Sequence, residues 1–354
     1  MDNRDDRPIF IYYSPNSVHS MYTGAPQSDL DKFTGPNFEG EDGDRRRVGY
    51  GMVAALDEMI GALETTFKNA GLWENTVLCF TTDNGGNPEG GIKHPGITSS
   101  GVWPGGSSFP LRGHKSTDYE GGVRGIGFIR GAPASMPLEA GTSDALFHVS
   151  DWYPTIVRMG GGSYGGKLPL DGVDQFDTIF KGASAARNTV IHNCPFREDG
   201  ESLESAAQKH GYSAALRKGD FKILYANDHH GYIPTHQHQD VMIGFGSDSP
   251  LMCEAPEAFE GKYLFNIVKD PRECTNLAGL AEHKALMDEL IAGLEECSHS
   301  ALPDLSIGAD ENKPLWQSGL DNARAMDEEM GLRVWVEWDC KAAHPDENCG
   351  WPVR

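Results

Sequence analysis

The stretch Val77-Leu78-Cys79-Phe80-Thr81-Thr82-Asp83-Asn84-Gly85-Gly86 decides the fold of this chain. Its first six residues are apolar or β-branched and predict a buried strand, and its last four are typical of a turn. Upstream, residues 48–70 carry apolar side chains at helical spacing, and Gly71 is the expected C-terminal cap. The run Pro8–Tyr13 is a second short, β-rich segment. Strand, helix and strand in this order predict a βαβ unit with two parallel strands, and hence an α/β fold with a mostly parallel central sheet.

Polar residues follow both predicted strands at the point where each strand ends. His19 comes after the first strand and Asp83 with Asn84 after the second. Open α/β sheets bind ligands at the carboxyl ends of their strands. Asp83 and Asn84 offer a carboxylate and an amide oxygen, which are the ligand types that Ca²⁺ or Mg²⁺ prefers, whereas Zn²⁺ would favour His or Cys. The alternative is that Asp83–Gly86 is only a turn, since these residue types dominate turns.

The segment Phe109-Pro110-Leu111-Arg112-Gly113-His114-Lys115 supplies a candidate for the opposite charge. Lys115 is a compact cation that suits a bound anion or a departing oxygen. Arg112 and Arg124 could support it, or could pair with Glu120 on the surface. His19 could donate a proton to a leaving alkoxide, because the ordinary pKa of histidine lies near neutrality. Lys115 and His19 are therefore the predicted catalytic residues, and residues 84–110 are predicted to form a long loop beside them.

Several other histidines could be interpreted as metal ligands. They are His148, His192 and the group His229, His230, His236 and His238. The last group lies in a turn-rich stretch without organising carboxylates, which favours a solvated loop. The sequence contains no Gly-x-Ser-x-Gly, no Walker lysine loop and no dinucleotide-binding fingerprint.

Beyond residue 160 the pattern changes to short strands separated by turns. Residues 189–192, 212–217, 221–226 and 263–268 predict strands, with Lys218-Gly219-Asp220 as a hairpin turn. Residues 281–296 predict an amphipathic helix that covers this small antiparallel sheet. A further helix is expected over residues 143–157, capped by Ser143 or Asp144. We therefore predict a catalytic α/β part over residues 1–160, a small antiparallel-sheet subdomain over 161–302, and a tail over 303–354.

Composition narrows the possible partners. The net charge of −22 disfavours nucleic acid, because binding to phosphates requires basic patches. No apolar run is long enough to span a membrane, and the charged N-terminal residues do not have the pattern of a secretory signal. The chain has seven cysteines, of which Cys340 and Cys349 could close a small disulfide loop, whereas Cys79 is expected to be a buried thiol. These features leave the compartment open.

Many short blocks of this sequence, in order, resemble the sulfatase family, specifically its arylsulfatase B (N-acetylgalactosamine-4-sulfatase) type. The matching blocks are Gly51-Met52-Val53, Gly71-Leu72-Trp73, Thr82-Asp83-Asn84-Gly85-Gly86, Pro110-Leu111-Arg112-Gly113-His114-Lys115, Glu120-Gly121-Gly122-Val123-Arg124-Gly125, His148-Val149-Ser150-Asp151, Leu170-Asp171-Gly172, Leu216-Arg217-Lys218-Gly219-Asp220 and Leu264-Phe265-Asn266-Ile267. The resemblance covers residues 8–297. It implies a partial alkaline-phosphatase-like sandwich, with the small C-terminal antiparallel sheet and its helix, in a secreted or lysosome-like protein.

The resemblance also implies a chemistry. The substrate would be a sulfated small molecule or glycan, and the cofactor would be Ca²⁺, with Mg²⁺ as the alternative. Asp83 and Asn84 would be metal ligands, Lys115 would contact the sulfate and its bridging oxygen, and His19 would assist the leaving group.

The chain departs from the family in its nucleophile. The family uses a formylglycine made from the cysteine of a Cys-x-Pro-x-Arg segment, and this pattern does not occur in these 354 residues. Cys194-Pro195-Phe196-Arg197 is only a near match. We therefore expect a truncated sulfatase sequence that is inactive alone. The alternatives are a phosphatase or phosphodiesterase of the same fold and a non-catalytic remnant that binds sulfated glycans.

Overall fold

The fold is described from a computed structural model of the chain, with side chains. The described residues are 8–19, 25–86, 106, 108–113, 115, 117–131, 133–164, 166, 169–198, 200–210, 214–225, 253 and 256–301. The predicted tail, the proposed Cys340–Cys349 pair, the histidine group of residues 229–238 and most of the predicted 84–110 loop lie outside these ranges.

The longest element is a helix that precedes the candidate site. A short helix α1, Gln27–Leu30, is followed by α2, Gly40–Asn69, which begins eight residues before the predicted start at Val48. Its C-terminus is closed as predicted by Gly71, whose φ is +67°. The Gly71 N–H donates to Lys68 O at 3.0 Å and the Leu72 N–H to Phe67 O at 2.9 Å. These are the two hydrogen bonds of a Schellman motif, which satisfies carbonyls that the helix leaves without partners.

The described part of the central sheet is a pair of short strands. Strand β1, Leu78–Thr81, pairs with β2, Gly127–Arg130, and Phe80 stacks on Phe128 with ring centroids 4.8 Å apart. The pairing is antiparallel, so the mostly parallel arrangement expected for this sheet is not formed between the strands that the structure describes. Helix α3, Glu120–Val123, leads directly into β2.

The predicted strand over Pro8–Tyr13 is wrong. These residues have no regular secondary structure, and the side chains of residues 9–13 are 55–82% exposed. The β-rich composition indicated a buried strand, but nothing among the described residues covers it. One anchor is a hydrogen bond from the Tyr13 hydroxyl to Met59 Sδ at 2.8 Å.

The predicted helix over residues 143–157 is shorter than expected. A 3₁₀ turn, Val149–Asp151, runs into α4, Trp152–Met159, and the cap is His148 rather than Ser143 or Asp144. The imidazole of His148 accepts the Ser150 N–H, while Asp151 Oδ2 accepts the His148 N–H at 2.9 Å. This reciprocal pair of bonds is a capping box with histidine in the place usually taken by Ser or Thr. The next helix, α5, is Phe176–Lys181.

The C-terminal sheet agrees with the prediction in every strand. The strands are β3 (Thr189–Asn193), β4 (Ala214–Lys218), β5 (Phe221–Tyr225) and β6 (Lys262–Asn266), adjacent in that order and antiparallel throughout. The hairpin between β4 and β5 turns at Gly219, whose φ is +55°. The small antiparallel sheet with its helix is therefore confirmed.

The main hydrophobic core lies between this sheet and the last helix. Helix α6, Leu203–His210, and α7, Lys284–Ser300, pack on one face of the sheet. Leu290 and Leu294 of α7 are at most 1% exposed and meet Leu216, Ile223 and Leu264. Burying one such side chain contributes about 1.5–3 kcal/mol, so this face anchors the C-terminal half of the chain.

Two disulfides join distant parts of the sequence. Cys194 pairs with Cys297, and Cys253 pairs with Cys274. Cys79 is a free thiol in β1 that is partly buried, where the sequence predicts a buried thiol, and burial raises its pKa to about 11. No helix within the described ranges is both long and apolar enough to cross a membrane.

Candidate active site

Asp83 and Asn84 form a turn at the end of β1. Asp83 Oδ1 accepts the Asn84 N–H at 2.8 Å, and Asn84 Nδ2 donates to Gly85 O, also at 2.8 Å. The Asp83 side chain is exposed and Asn84 is half-buried. Because the Asn84 amide nitrogen is engaged by the backbone, the amide oxygen is the end that remains for a ligand. The turn interpretation and the ligand interpretation are thus compatible in one structure.

The turn rests on the backbone of α3. The Gly85 N–H donates to Gly122 O at 2.9 Å. Ser108 Oγ accepts the Gly86 N–H at 2.9 Å and donates to Gly121 O at 2.6 Å. A Cβ at Gly85 would overlap the carbonyl of Gly121, so the two glycine-rich segments approach more closely than any side chain would allow.

Lys115 is joined to the same turn. Its backbone N–H donates to Gly86 O at 2.9 Å, which makes Gly86 the shared neighbour of Asp83–Asn84 on one side and Lys115 on the other. The Lys115 side chain is partly buried. Three of the four predicted site residues are therefore brought together by hydrogen bonds of the backbone.

His19, the fourth predicted residue, lies in an exposed turn in which its N–H donates to Asn16 O at 2.8 Å. It is not among the residues whose hydrogen bonds hold Asp83, Asn84 and Lys115. His148 caps a helix, and His192 lies on β3 with its pKa lowered to about 3, chiefly by burial. In the described part of the chain, no group of three or more His, Cys, Asp or Glu side chains could hold a metal ion.

Asp83 and Asn84 suit Ca²⁺ or Mg²⁺ by the chemistry of their oxygens. They provide two side-chain donors, and Ca²⁺ takes about six to eight oxygen ligands. The chemistry of these two residues therefore fits part of such a site, and the two donors do not complete it.

Glu120 is buried, contrary to the alternative that places it on the surface. Its carboxylate is 2% exposed and lies 2.9 Å from Lys222 Nζ, which is fully buried on β5. Lys222 also contacts Glu273 Oε1 at 2.7 Å as an ion pair. Burial alone would raise the pKa of Glu120, but the positive charge and hydrogen bond of Lys222 outweigh it, so the pKa is lowered. Burial raises the pKa of Glu273 to about 7, and Lys222 offsets part of that rise.

The two arginines of this region differ in their surroundings. Arg112 is 3% exposed, donates through Nε to Glu273 O at 2.9 Å and through Nη2 to Cys253 Sγ at 3.3 Å. Its guanidinium lies over the Tyr119 ring at 5.8 Å. Arg124 is exposed and approaches Glu120 Oε2 at 3.9 Å. Arg112 thus belongs to the interior beneath the site and Arg124 to its rim.

Sequence reasoning missed Ser108 and the supporting role of Gly121 and Gly122. The available signal was the pair of glycine doublets, Gly85-Gly86 and Gly121-Gly122, since paired glycines mark a close backbone approach. Cys194, in the near match to the family's nucleophile segment, is held in a disulfide and is not a free thiol.

Comparisons with known proteins match the part of the chain that contains this turn. A sequence profile described as Sulfatase matches residues 1–162, which include Asp83, Asn84 and Lys115. Arylsulfatase J of Mus musculus is 26% identical over 307 residues, covering 84% of this chain and 46% of the mouse protein. Arylsulfatase A of Homo sapiens is 28% identical over 281 residues, covering 78% of this chain and 45% of the human protein. The chain spans about half the length of the curated relatives it matches. The resemblance to arylsulfatase B in particular stays a prediction.

Solved structures support the fold. The crystal structure of Ps i-CgsB in complex with k-i-k-neocarrahexaose gives a TM-score of 0.52 at 22% identity, and covers 80% of this chain and 48% of that chain. A second crystal structure of Ps i-CgsB gives a TM-score of 0.53 with the same identity and coverage. The α/β class with an alkaline-phosphatase-like fold is thereby confirmed. Over residues 1–162, which the profile matches, and in its arylsulfatase relatives, the chain is similar to the sulfatase family.

Proposed function

We propose that this chain forms part of a sulfuric ester hydrolase of the arylsulfatase type. The observation that supports the proposal is the hydrogen bond from the Lys115 N–H to Gly86 O, because it joins the backbone of a lysine to the Asp83–Asn84 turn within the segment that the sulfatase profile matches. An ester of sulfuric acid presents non-bridging oxygens that carry negative charge, and a lysine with a bound divalent cation would stabilise that charge.

Each predicted residue has one role in this proposal. Lys115 would contact the sulfate group and its bridging oxygen, so that the charge which develops on the leaving oxygen is neutralised. His19 would donate a proton to that oxygen. Its exposed turn would have to close over the substrate, since the described hydrogen bonds of the site do not include it.

Asp83 and Asn84 are the proposed ligands of a calcium-type cation, with Mg²⁺ as the alternative. When bound, the cation would supply positive charge to the sulfate oxygens. The Asn84 N–H and Gly85 O bonds keep the turn shaped for this role without using the second carboxylate oxygen of Asp83.

The nucleophile is the component that these 354 residues do not provide, since no Cys-x-Pro-x-Arg segment occurs in them. We propose that this polypeptide alone shows little turnover, because the attacking group and part of the charge stabilisation are missing. The substrate is proposed to be an aryl sulfate or a sulfated glycan. The phosphatase and the glycan-binding alternatives are outcomes of the experiment.

The experiment starts from the transcript upstream of Met1. An in-frame Cys-x-Pro-x-Arg segment is expected there, and the longer protein is expected to release sulfate from 4-nitrophenyl sulfate. Chelation with EDTA and the substitutions Lys115→Ala and Asp83→Ala should each lower kcat/KM by at least about a hundredfold, as loss of one transition-state contact does. Lys218→Met, in the β4–β5 hairpin where Lys218 pairs with Glu289 of α7, is the control and should retain activity.

Other outcomes separate the alternatives. Hydrolysis of 4-nitrophenyl phosphate in preference to the sulfate would indicate the phosphatase. Binding of a sulfated oligosaccharide without hydrolysis, unaffected by Lys115→Ala, would indicate the glycan-binding remnant. A longer protein that carries the nucleophile segment and hydrolyses no sulfate ester would refute the proposal.

A further inference from the structure

A buried group of three charges lies beneath the candidate site. Lys222 of β5 is fully buried and contacts both Glu120 Oε1, at 2.9 Å, and Glu273 Oε1, at 2.7 Å. Glu273 Oε2 accepts the backbone N–H of Glu120 at 2.8 Å. The carboxylates of Glu120 and Glu273, which are distant in sequence, thus both contact the ammonium group of Lys222. We call these three residues the Lys222 cluster.

The Lys222 cluster is connected to the site by short, continuous hydrogen bonds. Glu120 immediately precedes Gly121 and Gly122, the two residues on which the Asp83–Gly86 turn rests. Glu273 O accepts from Arg112 Nε at 2.9 Å, and Arg112 O accepts the Gly121 N–H at 2.6 Å. Glu120 and Glu273 are therefore both linked to the same glycine pair, Glu120 through the chain and Glu273 through its backbone carbonyl and Arg112.

The composition of the Lys222 cluster favours a positioning role over a stabilising one. A buried ion pair seldom contributes more to stability than apolar residues of the same shape, because its desolvation is expensive. Glu273 also has φ +55°, a left-handed conformation that is uncommon for a residue with a side chain. Strained backbone and buried charge that persist together mark a place where geometry is being held.

We propose that the Lys222 cluster positions the Asp83–Gly86 turn and the Lys115 backbone, so that the C-terminal sheet sets the geometry of the candidate site. The proposal deepens the proposed function and depends on it for its effect on catalysis. The mechanical link is independent of activity. Lys222, Glu120 and Glu273 are positioning residues, since they act on the site through Gly121, Gly122 and Ser108.

The test measures amide hydrogen exchange in the full chain by NMR, with ¹⁵N-labelled glycine and leucine. In Lys222→Met, exchange at Gly85 and Gly86 should accelerate at least about tenfold more than exchange at Leu264, which reports opening of the C-terminal core. The matched control is Lys218→Met, which removes an equal charge from the same sheet, where Lys218 pairs with Glu289 near the surface. The control should leave the ratio of Gly85 to Leu264 exchange unchanged.

Glu273→Gln is the second variant, in case Lys222→Met does not fold. It is nearly isosteric and keeps an acceptor for the Glu120 N–H while removing the charge that pairs with Lys222, so the ratio should move in the same direction. An unchanged ratio in the variant that folds, or an equal change in Lys218→Met, would overturn the inference. Coupled exchange in a longer protein without sulfatase activity would refute the proposed function and leave the positioning role standing. Sulfatase activity with unaltered exchange ratios would refute the positioning role and leave the proposed function standing.

Discussion

Gly85 shows how a single residue controls the candidate site. Its N–H donates to Gly122 O, and its Cα faces the carbonyl of Gly121 with no room for another carbon. A side chain there would meet backbone on the opposite side, and backbone cannot rotate out of the way as the end of a flexible side chain can. The position of the turn that carries Asp83 and Asn84 therefore depends on a glycine at position 85, because no Cβ atom fits there.

Gly85→Ala should destabilise the protein by roughly 1–3 kcal/mol, the usual range for overpacking, because the two segments must separate. It should also accelerate amide exchange at Gly86. Urea unfolding and NMR would measure the two effects. Gly141→Ala is the control, since a Cβ there meets nothing within 4 Å, and it should change the free energy of unfolding by less than about 0.5 kcal/mol. Equal effects of both substitutions would contradict the proposed close approach.

His192 should make the protein sensitive to mild acid. Burial lowers its pKa to about 3 in the folded state, while an unfolded histidine has its ordinary value near 6.5. Between these values the unfolded chain binds more protons than the folded one, so stability falls as the pH decreases from 6.5 towards 3. The slope that one such group adds is at most about 1.4 kcal/mol per pH unit.

Urea unfolding between pH 4 and pH 8 would test this sensitivity. The variant His192→Gln should lose stability less steeply than the wild type over the lower half of that range. His299→Gln, in which an exposed histidine of α7 is replaced, should follow the wild-type curve. Parallel curves for the wild type and His192→Gln would show that this histidine is not the acid-sensitive group.

At the scale of elements, a glycine inside helix α2 and a glycine just after it have opposite functions. Gly61 lies in the helix interior, where an added methyl group would meet nothing within 4 Å, whereas Gly71 closes the helix with φ +67°. Glycine in the middle of a helix is less favourable than alanine because its unfolded state is more flexible. At the C-terminal cap the same flexibility is required.

Gly61→Ala should therefore stabilise the protein by about 0.5–1 kcal/mol, and Gly71→Ala should destabilise it by about 1 kcal/mol. Thermal unfolding of the two variants beside the wild type would show the opposite shifts. The pair is its own control, because both variants add one methyl group, one within α2 and one at its C-terminal cap. Shifts of the same sign would contradict the capping role of Gly71.

The elements also show what can be predicted from sequence. The strands of the C-terminal sheet are predictable because turn residues such as Gly219 separate short runs rich in β-branched and apolar residues. The start of α2 is not predictable, because its first turns consist of glycine and charged residues and carry no apolar stripe. The helix cap at His148 escapes prediction because histidine seldom takes that position. Local patterns thus indicate element types more reliably than their first residues.

At the scale of the whole molecule, the two disulfides close loops of very different length. Cys194 and Cys297 are 103 residues apart, and Cys253 and Cys274 are 21 apart. In the chain-entropy description, a longer closed loop restricts the unfolded chain more strongly.

Replacing Cys194 and Cys297 together by alanine should lower the free energy of unfolding by about 4.7 kcal/mol, and replacing Cys253 and Cys274 by about 3.3 kcal/mol. Equilibrium unfolding of both double variants under oxidising conditions would measure the order. A larger loss for the shorter loop would show that native contacts, such as that between Arg112 and Cys253, outweigh the restriction of the unfolded chain.

The candidate site marks the limit of prediction from sequence. Residue chemistry and the resemblance predict Asp83, Asn84 and Lys115 as site residues, and the structure joins their backbones at Gly86. Glu120 could not be assigned to the interior, because its partners Lys222 and Glu273 are 102 and 153 residues away in sequence. A charge in isolation indicates a solvated surface, and only the fold reveals which charges are paired.

The separation in sequence between Glu120 and its partners also determines when their contacts can form during synthesis on the ribosome. Residue 273 is made 190 residues after residue 83, which is roughly 10–40 s later at ordinary elongation rates. Until then Glu120 and Lys222 have no complete set of partners, and Gly121–Gly122 is not yet held in place. The nascent site segment therefore leaves the ribosome without these contacts, and it gains them only after the C-terminal sheet has been translated.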